Sequence, residues 1–211
     1  MKRVSLMLGV LLTATLVLAQ EEAATPPASQ PAASQPASAP AITDATSRQL
    51  AYFMQALQNP RVTHREDIAA ALGEMGPDAA AAIPALTEAA ADKDWHVRQA
   101  AVTALGKIDP TGQQVGPTLN AALTDKEIWV RLAAAQALCQ TGQPAAGMGL
   151  LTESLGSESP FVRLRAVQAL GEIGPPAKAA LTRLDEMRLL DKDSKIRDTC
   201  IWALKRINAA R

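Results

Sequence analysis

The chain has little of the residue types on which most active sites depend. Its 211 residues include two histidines, two cysteines and only 3% aromatic side chains. His64 and His96 are the only histidines, and neither belongs to a His-Glu dipeptide, so the sequence predicts no metal site. It also contains no G-x-S-x-G turn and no glycine-rich phosphate loop. We therefore expect no catalytic residues, no cofactor and no enzymatic activity.

An excess of charge of either sign is also missing. The 21 lysines and arginines are matched by 21 aspartates and glutamates, which gives a formal net charge of zero. Proteins that bind nucleic acid neutralise phosphates with a basic excess. The balance therefore argues against nucleic acid as a partner.

The N-terminal segment has the pattern of a targeting signal. Lys2 and Arg3 precede an apolar run over residues 4–19 that is too short to span a bilayer comfortably. We predict a signal peptide over residues 1–19, an exported protein that is periplasmic or secreted, and no membrane insertion after cleavage. The alternative is an uncleaved segment that anchors the chain to a membrane.

Residues 20–43 are rich in Pro, Ala, Ser and Gln. Such a segment buries too little apolar surface to fold, which predicts a disordered linker. It serves either as a semi-rigid tether or as a plain disordered tail. Residues 44–211 suffice for one domain, and their alanine and leucine content favours close-packed helices.

An internal repeat organises this domain. Arginines recur every 32 to 34 residues, and each is followed by an alanine at the sixth position and a leucine at the seventh. The arginines are Arg65, Arg98, Arg131, Arg163 and Arg197. Apolar residues around Arg98 fall on one face at helical spacing, which predicts a first (A) helix over Trp95 to Ile108.

A second (B) helix is expected to begin near Pro84, Pro117, Gly149 and Ala177 in successive repeats. Each A–B pair would form a helical hairpin. One hairpin cannot bury its apolar face alone, so the hairpins must stack into an elongated solenoid.

The repeated motif resembles that of HEAT-repeat proteins, in the short-repeat subtype also found in phycobilisome lyase-type chains. It stands as DKDWHVRQAAVTALGKID, DKEIWVRLAAAQALCQTG, SESPFVRLRAVQALGEIG and DKDSKIRDTCIWALKRIN. The resemblance implies an all-α, right-handed α-solenoid of about four to five helical-hairpin repeats.

The resemblance also implies that the recurring arginine has a structural role. In this interpretation, aspartates six residues before an arginine accept charge-assisted hydrogen bonds that tie adjacent repeats. The expected ladder consists of Arg98, Arg131, Arg163 and Arg197 with Asp92, Asp125 and Asp191.

The two cysteines are expected to be free. Cys139 and Cys200 lie two repeats apart, which places them roughly 20 Å from each other at ordinary helix spacing, too far for a disulfide. We predict two buried thiols that behave as small apolar side chains.

Two surfaces are candidates for binding a protein partner. The first is an aromatic row where the A helices start, formed by Trp95, His96, Trp129 and Phe161. Aromatic side chains are frequent at binding hot spots, although each ring could instead pack onto the preceding turn. The second is the outward face of the B helices, with Glu88, Asn120, Glu153, Arg183 and Glu186. Its mixed charge predicts no strongly charged ligand, and a solvated face is the alternative.

These observations predict an exported, non-catalytic protein–protein interaction or scaffold module whose partner is an envelope or secreted protein. Two alternatives stay open. One is a lyase-like or prosthetic-group-handling subunit, which the repeat subtype alone suggests. The other is a structural spacer in the cell envelope.

Overall fold

The computed structural model describes residues 45–209, and every regular element in that range is helical. An N-terminal helix, α1, spans Ala45–Gln58. The A helices are α2 (Arg65–Met75), α4 (Trp95–Ile108), α6 (Ile128–Gln140), α8 (Pro160–Ile173) and α10 (Ser194–Asn208). The B helices are α3 (Ile83–Ala89), α5 (Gly116–Ala122), α7 (Pro144–Ser154) and α9 (Leu181–Leu190). The predicted all-α hairpin repeat is confirmed.

The B helices start less regularly than the sequence pattern predicts. Helix α7 begins at Pro144, five residues before the expected Gly149, because a proline is well accommodated in a first helical turn. The 3-10 segments Gly76–Ala82 and Pro175–Ala180 precede α3 and α9.

Two of the A helices begin at a side-chain cap. The carboxylates of Asp94 and Asp193 accept hydrogen bonds from the amides of His96 and Lys195, at 2.9 and 2.8 Å. Ser159 occupies the same position before α8 but makes no capping hydrogen bond from its side chain. Pro160, whose φ is already helical, starts that helix instead.

Small residues allow consecutive A helices to pack closely. A Cβ added at Gly73 would lie 2.9 Å from the Cα of Ala104, and one at Gly106 would lie 2.7 Å from the Cβ of Ala137. These glycines and alanines occupy equivalent repeat positions on α2, α4 and α6. The recurring alanine is thus the contact surface for the glycine of the preceding repeat.

Helix α6 separates two parts of the hydrophobic core. Val130 and Leu138 pack into the N-terminal cluster, whereas Leu132, Ala135 and Cys139 pack into the C-terminal cluster. A helix that is covered on opposite sides has no single apolar stripe. This explains why nearly every residue from Leu132 to Cys139 is buried.

Both cysteines are free and buried, as the repeat spacing predicts. Burial raises the pKa of each thiol to about 11.

Residues 45–209 contain no helix with the length and apolar content needed to cross a bilayer. The predicted signal peptide and linker lie outside the described residues.

Candidate binding groove and the arginine ladder

Charge-assisted hydrogen bonds join successive repeats. Nε and Nη2 of Arg98 donate to the carboxylate of Asp125 at 2.7 and 2.9 Å. Arg163 makes the same pair of bonds to Asp191 at 2.9 and 3.0 Å. Arg65, which the predicted ladder omits, is bonded to Asp92 in the first repeat. The arginine of one A helix thereby holds the loop that leads into the next.

The ladder pairs are largely buried, and the hydrogen bonds within each pair set the ionisation of its members. Only 7% of the Arg98 side chain and 13% of the Asp125 side chain are exposed. The hydrogen bonds from Arg98 hold the pKa of Asp125 below its usual value, and Arg163 does the same for Asp191. The pKa values of the two arginines are raised in turn by the hydrogen bonds to these aspartates. Each pair stays ionised at neutral pH.

Arg131 and Arg197 do not take part in this pairing. Nη1 of Arg131 donates to the carbonyls of Asp125 and Lys126, and Nη1 of Arg197 donates to those of Asp191 and Lys192. Within residues 45–209, neither guanidinium forms an ion pair with a carboxylate. Both arginines therefore contact the aspartate six residues before them through its backbone carbonyl and not through its carboxylate. For Arg131, the position of the next aspartate is taken by Ser157.

The aromatic row is only partly available to a partner. Trp95 is half-buried against the N-terminal core cluster and stacks on His96 with ring centroids 3.6 Å apart. Trp129 is half-buried against the C-terminal cluster. Phe161 is different, because 71% of it is exposed. The packing alternative therefore accounts for the two tryptophans, and Phe161 is the ring that a partner could contact.

The polar residues of the first B helices mostly serve local contacts. Glu88 accepts a hydrogen bond from Nε2 of Gln58 at 2.9 Å, which ties α3 to α1. The side-chain amide of Asn120 donates to the carbonyl of Gly116 within α5. Glu153 is exposed near the end of α7.

Arg183 and Glu186 line an open groove of about 800 Å³ between the end of α7, the start of α8 and the C-terminal half of α9. Its apolar lining consists of Leu155, Pro160, Met187 and Leu190. Leu190 is 79% exposed, although it is a large apolar side chain. The groove thus offers an accessible apolar surface.

The charges around the groove largely cancel. Arg163 is bonded to Asp191, and Arg183 forms a 2.9 Å ion pair with Glu186. Other charged side chains of both signs also line it. The lining therefore suits an apolar or mixed ligand better than a strongly charged one.

Leu189 and Leu190 form a surface that the sequence pattern did not predict. Both are exposed, at 62% and 79%. The segment LTRLDEMRLL carries more leucines than one helical face can bury, and Leu184 and Met187 already fill the buried face of α9. That surplus of apolar residues is the signal that would have indicated this surface.

The part of the chain that the structure describes contains one cluster of potential metal ligands. The ligand atoms of His64, Glu66 and Asp67 lie within 4.8 Å of one another around the start of α2. The side chains of His64 and Asp67 are 76% and 60% exposed. Exposed groups of this kind are typical of a solvated first turn and do not define a built site.

The family of this chain follows from its repeats. A model of HEAT repeats matches residues 50–127 and 115–205, and the structure shows stacked helical hairpins over that span. The chain belongs to the HEAT-repeat family. None of the curated proteins compared with the sequence matches it.

Solved structures of similar fold include two at low sequence identity. One is the CpcE–CpcF complex of phycocyanin lyase from Nostoc sp. PCC7120, with 23% identity and a TM-score of 0.55 over 87% of this chain and 71% of that one. The other is an engineered protein from the Northeast Structural Genomics Consortium, with 21% identity and a TM-score of 0.53 over 78% and 81% of the two chains. At 21% and 23% identity, these comparisons show only that the folds are similar.

Proposed function

We propose that the chain is an exported, non-catalytic HEAT-repeat module that binds another protein, and that the groove between α7 and α9 holds a segment of that protein. One observation carries the proposal. Leu190 projects into the groove while 79% of it is exposed to solvent.

The neighbourhood of Leu190 supports a protein ligand. Phe161, which is 71% exposed, directly follows Pro160 of the groove lining. Exposed apolar surface of this kind is typical of interaction sites. The paired charges of the groove would supply a polar rim around this apolar centre. A peptide segment with one or two apolar side chains fits both the apolar surface and the paired charges of the groove.

Export is proposed on the N-terminal pattern alone. Lys2 and Arg3 precede the short apolar run over residues 4–19. The partner would then be an envelope or secreted protein. The segment over residues 20–43 would separate the repeats from the membrane or from that partner.

Two adjacent leucines make the groove testable. Leu190 lines the groove, whereas Leu189 is 62% exposed but does not line it. The full chain would carry a C-terminal affinity tag and be immobilised, and envelope extract of the source cells would be passed over it. The retained proteins would be identified by mass spectrometry for the wild type, Leu190→Asp and Leu189→Asp.

We expect a protein that the wild type and Leu189→Asp retain and that Leu190→Asp releases. A charge in the centre of the groove would be desolvated on binding without a partner, whereas the same charge at Leu189 would stay in water. Equal retention by all variants would contradict the assignment of the groove, and no retained protein would contradict the proposed function.

A further inference from the structure

We propose that Arg131 and the loop around Ser157 form an oxyanion-binding slot between two successive repeats. The ligand would be a carboxylate or a phosphate group that receives hydrogen bonds from Nε and Nη2 of Arg131. The ladder provides the reference geometry, because the same two atoms of Arg98 and Arg163 hold a carboxylate in their repeats.

The arginine side of the slot is already in place. Nη1 of Arg131 donates to the carbonyls of Asp125 and Lys126 at 2.7 and 3.0 Å. Nη1 of Arg98 makes the equivalent bonds to the preceding loop at 2.8 and 3.2 Å. Because a guanidinium is planar and rigid, these bonds also fix the direction of its other donors. Arg131 is thus oriented as in the complete pairs.

The loop side is also held in the ladder geometry. Oγ of Ser157 accepts a hydrogen bond from the amide of Ser159 at 3.3 Å, as Asp125 does from the amide of Glu127 at 2.8 Å. The carbonyl of Ser157 accepts from Nη1 of Arg163 at 2.9 Å, equivalent to the bond between Asp125 and Arg131. Ser157 therefore occupies the aspartate position without supplying a carboxylate.

The donors that remain suit an oxyanion. Among the described residues, Nε and Nη2 of Arg131 donate to no acceptor, and no carboxylate lies within 4.0 Å of this guanidinium. Arg131 is half-buried, so part of its side chain is exposed to solvent. Two parallel N–H groups on a fixed guanidinium are the arrangement that binds carboxylate and phosphate in bidentate fashion.

The slot lies where an added ligand would matter for the fold. Arg131 belongs to α6, the helix between the two core clusters. Elsewhere an arginine–aspartate pair connects each A helix with the loop before the next one. An oxyanion at Arg131 would complete that connection at the repeat where the chain itself lacks it.

The test is an NMR titration of the full chain, labelled with 15N at arginine. The Nε–H cross-peaks are followed while sodium phosphate or sodium acetate replaces chloride at constant ionic strength. Arg131→Gln assigns the peak. Arg197, which has the same anchoring carbonyl bonds but no described loop opposite it, is the internal control.

We expect a saturable shift of the Arg131 peak and an at least about tenfold weaker response at Arg197, since only the built slot holds the ion in two bonds. Ser157→Asp should place a carboxylate of the chain itself against Arg131 and so abolish the titration. Ser157→Ala, which keeps the slot open, should retain it. Tighter binding of phosphate would identify a phosphate-type ligand, and tighter binding of acetate a carboxylate.

Two results would overturn the proposal. One is an Arg131 peak that moves linearly with phosphate and with acetate, as that of Arg197 should. The other is an unchanged titration in Ser157→Asp, provided that circular dichroism shows the variant to be folded.

Discussion

The guanidinium of Arg98 bridges two repeats. Its Nη1 donates to the carbonyls of Asp92 and Lys93 in the loop before α4, while Nε and Nη2 donate to the carboxylate of Asp125 in the loop before α6. One side chain therefore satisfies backbone acceptors in its own repeat and fixes the position of the next. The recurrence of arginine in the sequence reflects this architectural role.

Removal of the carboxylate should destabilise the stack. Asp125→Ala leaves Arg98 largely buried without its charged partner, which we expect to cost about 2 kcal/mol of the free energy of unfolding. The measurement is urea denaturation followed by far-UV circular dichroism.

Asp185→Ala is the matched control for this substitution. Asp185 pairs with Arg188 at 2.6 Å on the exposed face of α9, where water replaces a lost ion pair readily. A shift of the unfolding midpoint as large for Asp185→Ala as for Asp125→Ala would contradict the structural role of the ladder.

The ladder also predicts an acid-sensitive fold. Hydrogen bonds from Arg98 and Arg163 hold the pKa values of Asp125 and Asp191 below the ordinary 3.8. A carboxylate whose pKa is lower in the folded state contributes its full stability above the unfolded-state pKa and loses it as the pH falls through the folded-state pKa. The free energy of unfolding should therefore decrease below about pH 4.

The double variant Asp125→Asn, Asp191→Asn tests whether these two carboxylates cause the loss of stability at acid pH. It should be less stable than the wild type at pH 7 and should lose less stability between about pH 4 and pH 2. Urea midpoints measured across this range give the comparison. Parallel curves for the two proteins would show that other groups govern the acid sensitivity.

The sequence predicted the A helices well because two independent signals coincide there. The apolar stripe around Arg98 and the cap at Asp94 both define the start of α4, and the structure has the predicted bounds Trp95–Ile108. Helices α3 and α9 are preceded by 3-10 segments, which leave the helix start ambiguous. The start of α7 was misplaced because Pro144 was not recognised as a first-turn proline.

The candidate site was harder to predict because burial depends on neighbouring repeats. Trp129 and Phe161 occupy equivalent sequence positions, yet Trp129 packs against the core and Phe161 is 71% exposed. Nothing in the local sequence distinguishes them. The missing aspartate at Ser157, by contrast, is visible in the repeat alignment, since the loops before α4, α6 and α10 carry aspartate there.

Close packing of the A helices predicts opposite effects for two glycine substitutions. Gly106→Ala adds a methyl group 2.7 Å from the Cβ of Ala137, and overpacking of about 2 kcal/mol should exceed the helix-propensity gain of about 0.8 kcal/mol. Gly149→Ala in α7 meets nothing within 4 Å and should stabilise the fold by about 0.8 kcal/mol.

Urea denaturation of both glycine variants measures the difference. Stabilisation by Gly106→Ala would mean that α4 and α6 are farther apart than the structure shows. A loss of stability in Gly149→Ala would indicate that this face of α7 is covered.

Hydrogen–deuterium exchange can locate the surface of the chain that a bound partner covers. The full chain would be compared alone and in complex with the protein that it retains from envelope extract. We predict slower exchange in residues 155–163 and 183–193, which border the groove. The equivalent surface between α3 and α5, lined by small side chains such as Ala90 and Ala121, should exchange unchanged. Protection of the surface between α3 and α5, with none at the groove, would show that the partner does not bind in the groove.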